Sequence, residues 1–95
     1  MIRHIVFFKL KDNSGANKTV VKTKILSLRD KIAGVKQIEM GVNFSKEMRA
    51  YDLALIVDFD TLADLQAYAI HPLHLEVLED IKKLVEKTHV VDYEL

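Results

Sequence analysis

The segment AYAIHPLH, residues 67–74, places Tyr68, His71 and His74 around the only proline of the chain. Proline is favoured as the first residue of a helix, and the residue before it is biased away from helical geometry, so Pro72 predicts that one helix ends and another begins here. In a first helical turn the dipole keeps the His74 imidazole neutral. A neutral histidine could remove a proton next to a carbonyl, while a tyrosine hydroxyl holds the developing oxygen charge. The segment is therefore either the rim of an active site or only a helix junction.

The same residues also have structural interpretations. Tyr68 could fill core volume, and His74 could be a polar residue of a first turn. His71, before the proline, is most simply a helix-junction residue that supports the site. The spacing of His71 and His74 could suit a metal, but no cysteine or nearby carboxylate pair completes a ligand set, so no metal site is predicted. His89, after the predicted last helix, is interpreted as a helix cap.

Composition narrows the class of protein. The chain has 95 residues, 49% hydrophobic and 29% charged, which suits a single folded domain over residues 1–95. Its 14 basic and 14 acidic residues balance, which argues against nucleic acid or an anionic membrane as a partner. The absence of cysteine excludes disulfides, thiolate metal sites and a cysteine nucleophile. The first apolar run is too short for a signal peptide and no stretch could span a bilayer, so we expect a cytoplasmic protein.

Hydrophobic periodicity predicts four strands and two helical elements. One helical element follows the first strand, and the other follows the third strand. The first strand carries large apolar side chains on both faces, and Gly34 stands where the first helix would end. Asp60 or Thr61 caps the second helical element, which breaks at Pro72. The predicted strands are 2–10, 35–42, 51–59 and 89–95, and the predicted helices are about 17–33, 61–70 and 72–87.

This order, β-α-β-β-α-β, folds most simply into an α+β ferredoxin-like domain with a four-stranded antiparallel sheet and helices on one face. The other face then stays uncovered, although Ile5, Phe7, Ala54 and Ile56 place apolar side chains on it. An exposed apolar face of that size usually means a partner. We therefore predict a homodimer whose open sheet faces pack together, which is the symmetric solution for identical chains.

Three stretches of the chain together resemble the stress-responsive dimeric α/β-barrel family: RHIVFFKLKD, YDLALIVDFDTLADLQAYAIHPLH and HVVDYEL. The resemblance covers almost the whole chain and keeps the order and spacing of the three motifs. It implies ferredoxin-like subunits that pair through their sheets into a dimeric α/β barrel, each with its own cavity between sheet and helices. The family name describes expression and shape, so it implies no particular reaction.

Some members resemble plant polyketide cyclases, which close a linear polyketide by an intramolecular aldol reaction. The resemblance implies that their catalytic histidine of the first strand, and their tyrosine and histidine around the His-Pro break, correspond to His4, Tyr68 and His74. His74 is then the general base, Tyr68 holds the developing oxygen, and His4 orients or shares the proton. Asp92 could accept a hydrogen bond from one imidazole and fix its tautomer. Bulky residues predicted to line the cavity leave room for a small hydrophobic or carbonyl ligand only: Phe8, Phe44, Ile70 and Leu78.

Two functions of different classes stay open. The first is an enzyme of the cyclase, isomerase or lyase type, which needs no cofactor and acts by proton transfer on a small carbonyl compound. The second is a non-catalytic ligand-binding or dimerisation module, in which His4 is only a buried histidine with a backbone partner. A haem-binding relative of the same dimeric fold is a further alternative. An open cavity with the three polar tips directed into it would favour the enzyme, and a filled core would favour the module.

Overall fold

The predicted ferredoxin-like α+β fold is confirmed. The computed structural model describes residues 1–95 and contains one antiparallel sheet with the strand order β2-β3-β1-β4. Three helices follow the strands in sequence because the second helical element is divided into two. The bounds are β1 Ile2–Leu10, α1 Gly15–Leu26, β2 Val35–Val42, β3 Leu53–Phe59, α2 Leu62–Ala69, α3 Pro72–Ile81 and β4 Val85–Glu94.

The sheet buries one face under the helices. In β1 the side chains of Val6, Phe8 and Leu10 are buried, whereas Phe7, on the opposite face, is 44% exposed. This alternation follows from the two-residue period of a strand. Every element except β4 contributes to the buried hydrophobic core. The last strand is therefore left without a helical cover. Only Val85, its first residue, is partly buried, and the residues that follow it are exposed on both faces.

The division between α2 and α3 confirms the predicted break at the proline. Pro72 is the first residue of α3, and His71 is its N-cap. The backbone N–H of Leu73 donates to Nδ1 of His71 over 3.1 Å. At the start of α2 the Thr61 hydroxyl accepts from the backbone N–H of Asp64 over 3.2 Å. Both helices thus begin with a side chain that satisfies a free backbone donor.

Two predicted helix ends and one cap were wrong. Helix α1 ends at Leu26, although Leu28 and Ile32 stay buried in the turns that follow. Helix α3 ends at Ile81, and Val85 already belongs to β4, where it pairs with Leu10. In both cases apolar residues at helical spacing are buried by tertiary contacts in another conformation. His89 is likewise no cap, since it lies within β4 opposite Phe7 in β1.

No helix of the chain combines the length and the apolar character needed to cross a membrane. The longest one, α1, has 12 residues, while a span needs about 20 apolar residues.

An ion pair lies on the open face of the sheet. Nε and Nη2 of Arg3 donate to the two carboxylate oxygens of Asp58 over 2.8 and 2.9 Å. The hydrogen bonds from Arg3 lower the pKa of the buried Asp58 carboxyl. A carboxyl whose pKa is lower in the folded state adds stability above its unfolded pKa, and this contribution disappears as the pH falls through the folded value.

Asp58→Asn should therefore lower the urea midpoint at pH 7 and have a much smaller effect in acid, below the folded pKa of Asp58. Urea titrations at several pH values would measure this difference. Asp60→Asn is the matched control, because Asp60 lies nearby but is exposed, and its pair with Lys36, at 3.3 Å, is also exposed. A loss that is equal at all pH values would contradict a role for the carboxylate charge.

Candidate active site

Four of the predicted site residues come together under the uncovered last strand. His4 lies in β1, Tyr68 in α2, His74 in α3 and Asp92 in β4. The Tyr68 ring centroid lies 6.2 Å from that of His4 and 4.3 Å from that of His74. His4 and Asp92 are opposite each other in the pairing of β1 with β4. The fold therefore brings together residues that are up to 88 positions apart in the sequence.

Asp92 forms its hydrogen bond with His4. Nδ1 of His4 and Oδ1 of Asp92 are 2.5 Å apart. An ionised carboxylate can only accept, so Nδ1 of His4 carries the hydrogen and donates it. In the neutral ring this arrangement leaves Nε2 unprotonated and able to accept a proton.

His74 is held in the same tautomer by a different partner. Its Nδ1 lies 3.0 Å from the carbonyl oxygen of Ala69, which can only accept a hydrogen bond. Burial lowers the pKa of His74, the positive charges that His4 and His71 can carry lower it further, and the bond to Ala69 opposes them. Burial is the largest of these effects on the pKa of His74, and it favours the neutral ring. Nε2 of His74 is therefore also unprotonated at neutral pH.

Tyr68 lies between the two histidines and stays protonated. It is 1% exposed, and burial raises its pKa to about 12. Its ring also packs against Phe59, at 5.3 Å between centroids, so it contributes to the core as well as to the site. At neutral pH the hydroxyl is thus a hydrogen-bond donor in a largely dry environment.

The three rings border a cavity of about 190 Å³. Thr88 supplies the only other polar side chain of the wall. The wall is otherwise apolar and includes Val6, Phe8, Ile25, Leu55, Val77 and Leu78.

Two of the four predicted lining residues lie elsewhere. Phe44 is 96% exposed in the loop after β2, where it borders a different, polar pocket. Ile70 is 75% exposed at the end of α2. It follows Tyr68 by two residues, which is about 200° around a helix, so the two side chains leave α2 in opposite directions. Phe8 and Leu78 do line the cavity.

His71 does not line the cavity. It is the N-cap of α3, whose first residue, Pro72, lies two residues before His74. Thr88 and Val90, by contrast, line the cavity and were not predicted. The alternation of β4 could have revealed them, because Thr88, Val90 and Asp92 share one face of a strand. The predicted strand began one residue too late to include Thr88.

The side chains do not form a metal centre. No group of three or more His, Cys, Asp or Glu side chains is arranged so that it could hold a metal ion. The residues of the cavity suit hydrogen bonding and proton transfer instead, with two ring nitrogens that accept and a hydroxyl that donates.

The fold and the cavity define a ferredoxin-like α+β protein with a histidine and tyrosine cluster between its sheet and its helices. The chain belongs to the stress responsive A/B barrel domain family, whose family model matches residues 2–95. This membership confirms the resemblance seen in the three sequence motifs.

Solved structures from several organisms are similar to the chain. A dimeric ferredoxin-like protein of unknown function from Bacteroides fragilis is 33% identical, with a TM-score of 0.83 and coverage of 99% of this chain and 95% of that one. A Dabb-family protein from Mesorhizobium loti is 27% identical, with a TM-score of 0.84 and coverage of 99% and 95%. A hydroxynitrile lyase from Passiflora edulis is 21% identical, with a TM-score of 0.84 and coverage of 99% and 92%, a likeness that concerns the fold. The comparison with curated proteins gave no significant match.

Proposed function

We propose that the chain forms a homodimer in which each subunit transfers a proton on a small carbonyl compound without a cofactor. The observation that carries this proposal is the convergence of the His4–Asp92 pair, Tyr68 and His74 on one largely apolar cavity. Perturbed titratable groups in a cavity are typical of functional sites. The reaction is of the isomerase, cyclase or lyase type, because each of these can begin with the removal of one proton.

His4 is the proposed base, in place of His74. Nε2 of His4 takes the proton from the carbon next to the carbonyl, and the electron pair of the broken C–H bond moves toward the carbonyl oxygen. The carboxylate of Asp92 offsets the positive charge that develops on the ring of His4. His74 lacks such a carboxylate, and burial disfavours its charged form.

Tyr68 stabilises the enolate that forms. Its hydroxyl stays protonated and donates a hydrogen bond to the oxygen on which negative charge develops. His74 packs against the Tyr68 ring and presents a neutral nitrogen, which accepts a hydrogen bond from a hydroxyl of the substrate. When the enolate is conjugated with a C=C bond, the proton returns from Nε2 of His4 to the γ-carbon, which gives an isomer. When the enolate carbon instead attacks a second carbonyl of the same molecule, the C=O π bond opens to an alkoxide, and this oxygen takes the proton from His4.

The homodimer is proposed to form through the open sheet face. Phe7 is 44% exposed and Val91 is 56% exposed on this face. Ile5 pairs with Val91 in β4 on one side and with Ile56 in β3 on the other, so the apolar side chains extend across three strands. Contiguous apolar area of this kind usually marks an interface. The similar structure from Bacteroides fragilis is described as dimeric, which supports the proposal.

Exchange of hydrogen for deuterium next to the carbonyl tests the reaction. The purified protein would be incubated in D2O with a panel of small ketones and aldehydes, and ¹H NMR would follow the loss of the α-proton signals. We expect exchange above the buffer rate, and about 10²-fold slower exchange with Tyr68→Phe, which loses the donor to the enolate oxygen.

His89→Asn is the matched control, since His89 lies on the other face of the sheet and does not border the cavity. Circular dichroism would show that each variant is folded. If no compound of the panel exchanges faster than in buffer, or if Tyr68→Phe exchanges at the wild-type rate, the proposed chemistry is wrong.

The second candidate is a non-catalytic module, which forms a dimer and binds a ligand without converting it. The extensive apolar area on the open face favours it, because that surface needs a partner whether or not the cavity is catalytic. The same measurements separate the two candidates. A stable dimer that binds carbonyl compounds without any exchange would identify the module.

A further inference from the structure

A groove between α3 and β4 lies beside the cavity. The groove has a volume of about 450 Å³. Phe8, Leu78 and Thr88 border both spaces, so the cavity and the groove adjoin at these three side chains. The groove exists because no helix covers the last strand, whose residues stay exposed on the helical side of the sheet.

We propose that this groove holds the hydrocarbon chain of an elongated carbonyl ligand. The carbonyl head lies at His4 and Tyr68, and the unbranched chain passes Leu78 and continues between α3 and β4. The inference rests on the proposed function, since it takes the histidine and tyrosine cavity as the site of the head. It replaces the small ligand that the sequence predicted with an amphipathic one.

The dimensions support a ligand that occupies both spaces. Ligand pockets usually have volumes of about 300–1,000 Å³, and the cavity at about 190 Å³ is smaller than this. The groove, at about 450 Å³, falls within the range. A compound confined to the cavity could have only a few heavy atoms, whereas one that enters the groove could carry a chain of several carbons.

The chemistry of the groove also fits a hydrocarbon chain. Leu75 and Leu78 are exposed leucines of α3, and Ile81 and Val85 continue the apolar wall toward β4. The charged residues of the groove are one acidic and one basic side chain, so it has no net charge to select an ionic tail. These two are Glu79 and Lys82.

The affinity of straight-chain methyl ketones tests the inference. Dissociation constants would be measured for the series from butanone to nonanone by ligand-observed NMR with the full-length protein. Burial of each additional methylene should strengthen binding about fourfold until the groove is filled. An affinity that does not change with chain length would overturn the proposal.

A variant within the groove gives a second test. Leu75→Trp should leave the binding of butanone within about twofold and remove most of the gain for the longer ketones, because Leu75 borders the groove but not the cavity. Leu73→Trp is the matched control, because Leu73 belongs to the same helix but borders neither space. Equal chain-length dependence in the two variants would also overturn the proposal.

A measurement on the unaltered protein does not depend on whether the tryptophan variants fold. Intermolecular NOEs from the terminal methyl group of nonanone should reach the methyl groups of Leu75 and Val85. NOEs to other parts of the protein only would contradict the inference. If Leu75→Trp instead weakens the dimer and chain length has no effect, the groove receives a second copy, and the ligand proposal is wrong.

The two proposals fail in different ways. A chain-length dependence without any exchange of α-protons would leave the elongated ligand in place and remove the reaction. Exchange of short and long ketones alike, with no dependence of affinity on chain length, would leave the reaction and remove the groove as its chain-binding site.

Discussion

His4→Asn should slow the exchange of α-protons by about 10²–10⁴-fold, the usual contribution of a positioned general base. Asparagine is close to histidine in polarity but has no group that can take up a proton near neutral pH. The hydrogen bond to Asp92 can be kept, because the amide nitrogen of asparagine is a donor. The variant therefore removes the base while disturbing the strand pair β1 and β4 little.

Asp92→Asn tests how His4 is positioned. In the structure the carboxylate accepts from Nδ1 of His4, which leaves Nε2 free for the substrate. An asparagine amide at this position could donate as well as accept, so the ring would no longer be confined to one tautomer. We expect an intermediate loss of exchange, smaller than for His4→Asn. In addition, ¹⁵N spectra of the ring should change from the Nδ1–H tautomer to a mixture.

The spectra distinguish positioning from simple loss of structure. Tyr68→Phe should leave the ¹⁵N pattern of His4 unchanged while exchange falls, whereas Asp92→Asn should change both. If His4→Asn retains wild-type exchange and His74→Gln abolishes it, the base is His74, as the sequence suggested. Exchange that survives both substitutions would exclude the imidazoles as the base.

Local signals in the sequence were sufficient for most of the fold. Pro72 and its neighbour His71 determine where α3 begins, because proline favours the first helical position and restricts the preceding residue. Gly34 has φ 91°, a left-handed conformation that glycine adopts without strain, and it ends the connection before β2. Long-range pairing was not visible. Val85 has helical spacing relative to Ile81, but it becomes a strand residue because it pairs with Leu10.

One part of the candidate site could be predicted because neighbours in the chain are also neighbours in space. Tyr68 and His74 lie close together because a helix break joins their two short helices. The sequence predicted that Asp92 accepts from one of the imidazoles. That this imidazole is His4 depends on the register of the first and last strands, which no local pattern determines. Phe44 was predicted to line the cavity because its side chain is large. It lies in a loop, where it is exposed to solvent.

Phe7→Asp should convert the proposed dimer into a monomer. Phe7 lies on the open face of the central strand β1, paired with Ala54 on one side and with His89 on the other. Because a two-fold axis repeats the change, each dimer loses two aromatic contacts and gains two charges in its interface. A loss of about 2 kcal/mol for each aromatic residue gives about 4 kcal/mol, which corresponds to a dissociation constant about 10³-fold higher.

Sedimentation velocity over a range of concentrations would measure this change. Leu62→Asp is the control, because Leu62 is an exposed leucine at the start of α2, on the helical side of the subunit. The cavity lies on the side of the sheet opposite Phe7, so a folded Phe7→Asp monomer should still bind carbonyl compounds. A wild-type chain that sediments as a monomer at micromolar concentration would contradict the dimer. The two substitutions add the same charge to opposite sides of the subunit. If Leu62→Asp dissociates the dimer and Phe7→Asp does not, the interface instead belongs to the helices.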